Sequence, residues 1–460
     1  MNSVVTSKGG SFATSPSVAR IFAAKPALVA GFLALVMYLA TPTANYYWDG
    51  LAFAQKIERV AAHAHNANPL FHRNHLLYNA IGYLLYVVPH GFGLPWRAIS
   101  VLQIASTVSC AVGVGIFFGI ARRISGSLYI ACVGSALLAV STCWWKAATD
   151  ADAYSLSVVP VLVCAATLLS EHPRWYLAGL GLAGAMLIHE LAALFYPAAI
   201  VAVLLSDRIE NRFKFGLKLT ALAWGITVVS YYAVAAWMFG ITSPMDVIKW
   251  AGSNPYGVAF SNPLTTLATF PKYQLDLIFG HDFKGFRLFG GAVEVVFASI
   301  GLLAVCAAAF VISRRASVKE GLKSIWRISP DVRCQWKRTM PVLLVWIATY
   351  ALFLIVWEPY VLHYRIYYAP PVVLIFVLVL SNYHHRSFSS PSGAAALAVT
   401  ALFFLNLAFF IAPHMRSNSS SQVAAAREPS KKCDGRAIVY FTDRSAIEGA
   451  FQYFNGGVHP

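Results

Sequence analysis

The sequence predicts an all-α polytopic membrane protein of about eleven transmembrane helices, with interfacial helices in the first outer loop. Three observations carry this. Hydrophobic residues make up 58% of the chain and charged residues 12%, against about 25% charged in a soluble globular domain. Apolar runs of roughly 20 residues, each long enough to cross the hydrocarbon core as a helix, recur along almost the whole length. Basic residues gather in the short loops between those runs, as they do in cytoplasmic loops. The net charge of +16 therefore has a membrane explanation, and no nucleic-acid partner is expected.

The first run, 27–40, follows a Ser/Gly-rich basic segment, residues 1–25, which reads as a disordered cytoplasmic tail. The run ends at Pro42 with no small-x-small cleavage site, so it is expected to be retained as a helix. Residues 50–64 form an amphipathic stretch with Phe53, Ile57, Val60, Ala61 and Ala64 on one stripe, and should lie on the membrane surface. "NHLLYNAIGYLLYVVP" is short for a span and is placed at the interface, because every later loop then obeys the charge rule. The remaining spans fall at 98–121, 128–144, 153–170, 176–188, 191–206, 219–238, 288–312, 340–357, 366–381 and 393–412. The transmembrane domain thus runs from 26 to 412, and 413–460 is a short outer tail with one strand-like run, "RAIVYF". In this threading 19 of the 35 Lys and Arg lie in the inner loops, eight of them in 313–339. The N-terminus is expected in the cytoplasm of a bacterial inner membrane, and the acid-rich face on the periplasmic side.

Thirteen of the 19 acids fall on that outer face, with Glu294 alone inside a span. In "NYYWDGLAFAQKIE", Asp49 follows Tyr46, Tyr47 and Trp48 at the end of the first span. It reads either as the N-cap of the next helix or as a general base or cation ligand held at the bilayer surface. The three rings offer stacking faces for a sugar or anchors at headgroup level. "CWWKAATDADAYSLS" brings Asp150 and Asp152 with Tyr154. Two positions apart on a helix, the acids would point to nearly opposite faces, so one alone should share a cavity with Asp49. "HAHNANPLFHRNH" holds His63, His65, His72 and His75, whose spacings suit a metal but lack the Cys or HExxH frame of a zinc site. "LIHELAAL" sets His189 and Glu190 at a helix break, and polar groups between spans are seldom idle. "WEPYVLHYRIYYAPP" supplies Glu358, His363 and Arg365. Arg365 reads as a phosphate ligand, through its planar fork, or as an interfacial anchor. The seven Cys are scattered without a C-x-x-C pair and read as packing residues.

The order of these segments resembles the GT-C membrane glycosyltransferases. "WDGLAFAQKIE" is similar to the W-D-x-G-E-x start of their bacterial branch related to protein O-mannosyltransferases, with Leu51 and Ala52 at the usual acidic position. "WWKAATDADAYSLS" resembles that branch's W-x-A-x-E-A-E-x-Y-x-L motif, with Asp for both Glu. "LIHELAALFYP" and "NPLFHRNHLLY" are loosely similar to its N-H-x-T-x-x-x-x-P and H-P-x-x-P-L-Y segments. The resemblance covers roughly residues 25–240. It implies transfer of a hexose or pentose, with inversion, from a polyprenyl-phosphate carrier to an acceptor at the outer face. Asp49 would then be the base, with Arg365 and His363 on the leaving phosphate. Asp152 would orient the acceptor or share a divalent cation with Asp49, and Asp150, His189, Glu190, His75, Tyr154 and Trp48 would complete the site. The competing class, a transporter or lipid flippase, predicts ionisable groups through the bilayer depth and an inverted repeat. Glu294 favours it and no repeat is visible. A catalytically silent assembly factor of the same fold is the third reading.

Overall fold

The structure, a computed structural model, describes residues 16–62, 67–253, 262–280, 299–301, 303–305, 330–358, 361–381, 391–416 and Tyr453; side chains of 16–24, 272, 330–335 and 391–392 are left aside. His63, His65, Glu294, Tyr360, most of the expected span 288–312 and the "RAIVYF" run lie outside these residues, as do most of the loop 313–339 and of the two tails. Among the described residues the elements are helical, and the one β-type pairing is an isolated bridge between His72 and His75.

The first two apolar elements are α1 (Pro16–Ala40) and, after the outer loop, α4 (Ala98–Ser125). They lie unusually close because glycine faces backbone on both sides. A Cβ on Gly31 would sit 3.0 Å from the Ala111 carbonyl oxygen, and one on Gly115 3.1 Å from that of Ala27. In lipid, apolar side chains gain little by leaving the tails, so such small-residue contacts are what let helix backbones associate. Against α4 pack α5 (Leu128–Val140), α6 (Thr142–Thr149) and α7 (Ala153–Leu168), followed by α8 (Trp175–Ile188), α9 (Tyr196–Leu205) and α10 (Arg212–Phe239). The central core is built from Phe117 and Phe118 of α4, Trp144 and Trp145 of α6, and Val158 and Leu162 of α7. Beyond α11 (Pro244–Gly252) and α12 (Pro263–Ile278) come α13 (Pro330–Val356), α14 (Ala369–Ser381) and α15 (Pro391–Asn406). A π-helical turn, Leu407–Ile411, leads to the closing turn α16 (Ala412–Met415).

Among the described residues four helices, including α4, α10 and most of α13, are long and apolar enough to cross a bilayer; five apolar helices of 10–17 residues accompany them. The expected span 128–144 is broken. Ser141 is extended (φ −63°, ψ 139°) and turns α6 away from α5 by 61°. The bend carries the end of α6 beneath the outer loop.

That loop contains α2 (Trp48–Ala62) and α3 (Tyr78–Gly91). The buried stripe of α2 is Leu51, Phe53, Ala54, Ile57 and Val60, close to expectation, whereas Ala61 is exposed. The stripe faces α3 and α4 rather than lipid: a Cβ on Gly82 of α3 would meet Leu102 of α4 at 2.7 Å and Ile57 of α2 at 2.8 Å. The Ala98 N–H at the start of α4 bonds to Glu58 of α2 at 2.8 Å. The six residues from α3 to α4 reach at most about 20–25 Å, too little to recross a core of about 30 Å. So α3 stays on the face where it starts.

The far end of the chain returns to this face. Thr43 donates its N–H to the Thr149 carbonyl at 3.1 Å, and Ala44 to that of His414 at 2.8 Å. Tyr453 is 3% exposed; its hydroxyl donates to Glu58 at 3.1 Å and accepts from the Ile99 N–H at 3.2 Å, while Arg97 lies over its ring.

Gly50 of α2 presses on the backbone linking α6 to α7, where a Cβ would fall 2.4 Å from the Ala151 carbonyl oxygen. Backbone cannot yield as a flexible side chain can. Gly50→Ala should destabilise the protein by about 1–3 kcal/mol, read as a lowered Tm in detergent; an unchanged Tm would show that α2 is not held against the linker.

Candidate active site

The linker Asp150–Ala151–Asp152 is the centre of the outer face. It is not helical: Asp150 closes α6 and Asp152 caps α7, both with extended backbone. In an extended segment residues i and i+2 share a face, which corrects the expectation that the two acids diverge. The Nε2 of His363 lies 3.6 Å from a carboxylate oxygen of each. His363 is carried by a 3-10 turn, His363–Tyr367, between α13 and α14.

The two neighbouring acids are in opposite situations. Asp150 is fully buried and saturated: Lys146 Nζ is 2.6 Å from Oδ2, and the N–H groups of Tyr47 and Ala151 donate at 3.0 and 2.8 Å. Burial is the largest influence on its carboxyl and opposes ionisation, yet Lys146 and His363 together hold it down at about 2. Lys146, four residues earlier on α6, also donates to the Asn45 carbonyl at 2.7 Å. Asp152 spends Oδ1 on the Tyr154 N–H at 2.7 Å. Its Oδ2 is buried without a hydrogen-bond partner among the described residues. Burial, with Asp150 and Asp49 adding repulsion, pushes this carboxyl well above the usual carboxylate range.

Asp49 is the second residue of α2, so it is a first-turn acid and not the N-cap. It is half-buried, and burial pushes it up to about 7, with Lys56 pulling it back and Glu358 adding to the rise. The ring of Tyr47 stacks on His363 at 4.4 Å, whereas Trp48 is 41% exposed and stands at the rim. Tyr154 reaches across α7 to His189 at 4.3 Å and Tyr364 at 5.3 Å; Tyr364 in turn donates to Glu358 at 2.9 Å.

The histidines form a neutral wall beside these acids. His75 stacks on His72 at 4.5 Å and lies 5.4 Å from His189. His189 Nδ1 accepts the Leu191 N–H at 3.1 Å, which leaves the proton on Nε2. Burial drives His189 down to about 3 and His72 to about 4, with His75 also well below its ordinary value. Among the described residues no three His, Cys, Asp or Glu side chains converge as a metal-binding group. The Lys146 ammonium already fills the cationic position beside Asp150, so a bridging divalent ion does not fit that acid.

Two expected residues stand apart from the acid pair. Glu190 is exposed, and its N–H bonds back to Asn74 at 2.9 Å. Arg365 is 1% exposed, 3.7 Å from Asp276 of α12 and 5.4 Å from the ring of Tyr273. That burial removes the interfacial-anchor reading. Lys146 and Lys56 join the site without having been singled out, and Tyr47, read as a stacking ring, joins it against His363. Lys146 had a signal, its i,i+4 spacing to Asp150, whereas Lys56 lies off the buried stripe of α2, beside Ile57.

No family model and no curated protein sequence matches the chain. Solved structures do. The oligosaccharyltransferase from Archaeoglobus fulgidus in the apo form aligns over 94% of this chain and 64% of its own length, at 12% identity and a TM-score of 0.50. ArnT from Cupriavidus metallidurans aligns over 96% of this chain and 85% of its own, at 15% identity and TM-score 0.44 in the apo state and 14% and 0.45 bound to undecaprenyl phosphate. The chain spans less than two thirds of the oligosaccharyltransferase. What the chain shares with the oligosaccharyltransferase is its fold, a polytopic helical architecture.

Removing one partner of a buried ion pair strands the other charge. Lys146→Met should cost about 3–5 kcal/mol, and adding Asp150→Asn should recover much of it because the stranded charge is gone. Thermal unfolding of the two variants in detergent measures this; equal Tm values would remove the pair from the stability of the outer face. Since Asp150 is held low, its contribution is present above the ordinary value near 4 and lost as pH falls toward 2.

Proposed function

We propose that this protein is a GT-C-type glycosyltransferase that moves a sugar from a polyprenyl-phosphate donor to an acceptor on the outer, periplasmic face of a bacterial inner membrane. The observation that carries the reading is the pairing of an accessible carboxylate tuned to about 7, Asp49, with a buried wall of Asp152, His363 and Tyr154. A base works best when its affinity for protons is close to the operating pH.

In this reading Asp49 takes the proton of the acceptor hydroxyl as its oxygen attacks the anomeric carbon. The bond from that carbon to the phosphate oxygen breaks on the opposite side, its electron pair leaving with the polyprenyl phosphate, and the configuration inverts. Burial favours the neutral form of Asp152, whose Oδ2 is turned toward His363 and available to orient a sugar hydroxyl. Arg365, two residues beyond His363 on the same 3-10 turn, supplies positive charge to the leaving phosphate from a water-poor position. His189, His75 and Trp48 bound the sugar with neutral or apolar surfaces, and Glu190 is left at the margin. The steps use side chains of the chain itself.

The transporter reading rests on Glu294, which lies outside the described residues. Among the described residues the acids lie at helix ends, in loops or on surface helices, with none in the middle of an apolar span.

Asp49→Asn keeps the shape and removes the base, so transfer should fall at least about 10²–10⁴-fold while the protein accumulates normally. Wild-type kcat/KM should rise about tenfold per pH unit below 7 and level off above it, because the proton must leave Asp49 before it can act. Unchanged transfer by the variant from a polyprenyl-phosphate sugar would sink the base role. For Arg365→Lys the charge stays but the bidentate fork is lost, so donor affinity should drop about tenfold or more with little change in Tm. Equal donor affinity in the two proteins would take Arg365 out of phosphate binding.

A further inference from the structure

A second polar site lies at the opposite end of the bundle. Ser106 of α4 is hydrogen-bonded to the Asp152 backbone; Arg123, seventeen residues along the same helix, is therefore displaced by about 26 Å, close to the thickness of a hydrocarbon core. There a cleft opens between the ends of α4, α7 and α9 and the flank of α13. Its polar lining holds Arg123, Arg208 and Arg338 against one acid, Asp207. That acid is already taken by Arg338 and by Arg212 at 3.5 Å. Arg123 turns one nitrogen to the Ala166 carbonyl at 2.9 Å, and Arg208 has no carboxylate partner among the described residues. The walls between these heads are apolar: Ile124, Leu168, Leu205 and Val342.

We propose that this cleft binds a phosphate ester, the headgroup of an anionic phospholipid in the leaflet opposite the acid cluster. Guanidinium forks match phosphate oxygens in pairs, and basic clefts between helices at the membrane edge hold anionic headgroups. The apolar walls run from the arginines toward the bilayer side, where Leu204 and Leu205 are exposed; they suit the glycerol and first acyl carbons of a lipid. A bare phosphate would leave those walls uncovered.

The test uses the full chain in nanodiscs of phosphatidylcholine with and without phosphatidylglycerol, with retained lipid counted by native mass spectrometry. Wild type should retain phosphatidylglycerol selectively. Arg208→Gln and Arg123→Gln/Arg208→Gln should lose that selectivity about tenfold, and Arg208→Lys should keep part of it. Lys214→Gln, exposed on the same face outside the cleft, should keep all of it. A second arm offers glycerol 3-phosphate and inorganic phosphate to protein in pure phosphatidylcholine. Arg208-dependent binding of either at comparable affinity would support the phosphate site while overturning its assignment to lipid. Equal phosphatidylglycerol retention by wild type and the Arg208→Gln variants, with folding confirmed by an unchanged Tm, would overturn the proposal.

Discussion

The outer face depends on one buried ion pair. Lys146 and Asp150 sit one helical turn apart on α6, 7% and 0% exposed at their side chains. Neither would be tolerated there alone, since an unpaired charge in a dry interior carries a penalty of several kcal/mol. Together they do more than neutralise one another. Asp150 receives the Tyr47 N–H and Lys146 reaches the Asn45 carbonyl, so the pair grips the loop after α1 from both sides. The placement of Asp49, two residues beyond Tyr47, follows from that grip.

The same arrangement separates the roles of two acids that look equivalent in the chain. Asp150 has two backbone donors and a cation, and is committed to structure. Asp152 has one backbone donor, no adjacent cation and an oxygen turned toward His363. Adjacent carboxylates pushed apart in proton affinity are a recurring sign of a working site. Here the difference comes from the position of one lysine.

Much of this was legible in the chain. Length and spacing of apolar runs, with the basic loops between them, are local properties, and they led to the helices and the face that the acids share. The GT-C likeness rested on motifs within short windows. What stayed hidden was set by long-range geometry. The convergence of His363 with Asp150 and Asp152 joins segments far apart in sequence, and no periodicity announces it. The divergence expected for the two acids assumed a helix, and nothing in "TDADA" signals that the linker is extended. The bend at Ser141 was invisible because the apolar run continues through it. Lys146 was readable in principle, as a charge four residues from an acid, but its value depended on a loop a hundred residues earlier.

Tyr453 gives the assembly an order in time. It closes over Glu58, Arg97 and Ile99, contacts made by the earliest outer loop, yet it is synthesised after every span described here. During insertion those early partners emerge first, with Glu58 held by Arg97 and the Ala98 N–H. The clasp can form only when the last helix has been threaded, so a chain stalled or clipped before that residue keeps an open outer layer. The packing of the first loop thereby depends on a residue more than 350 positions later in the chain.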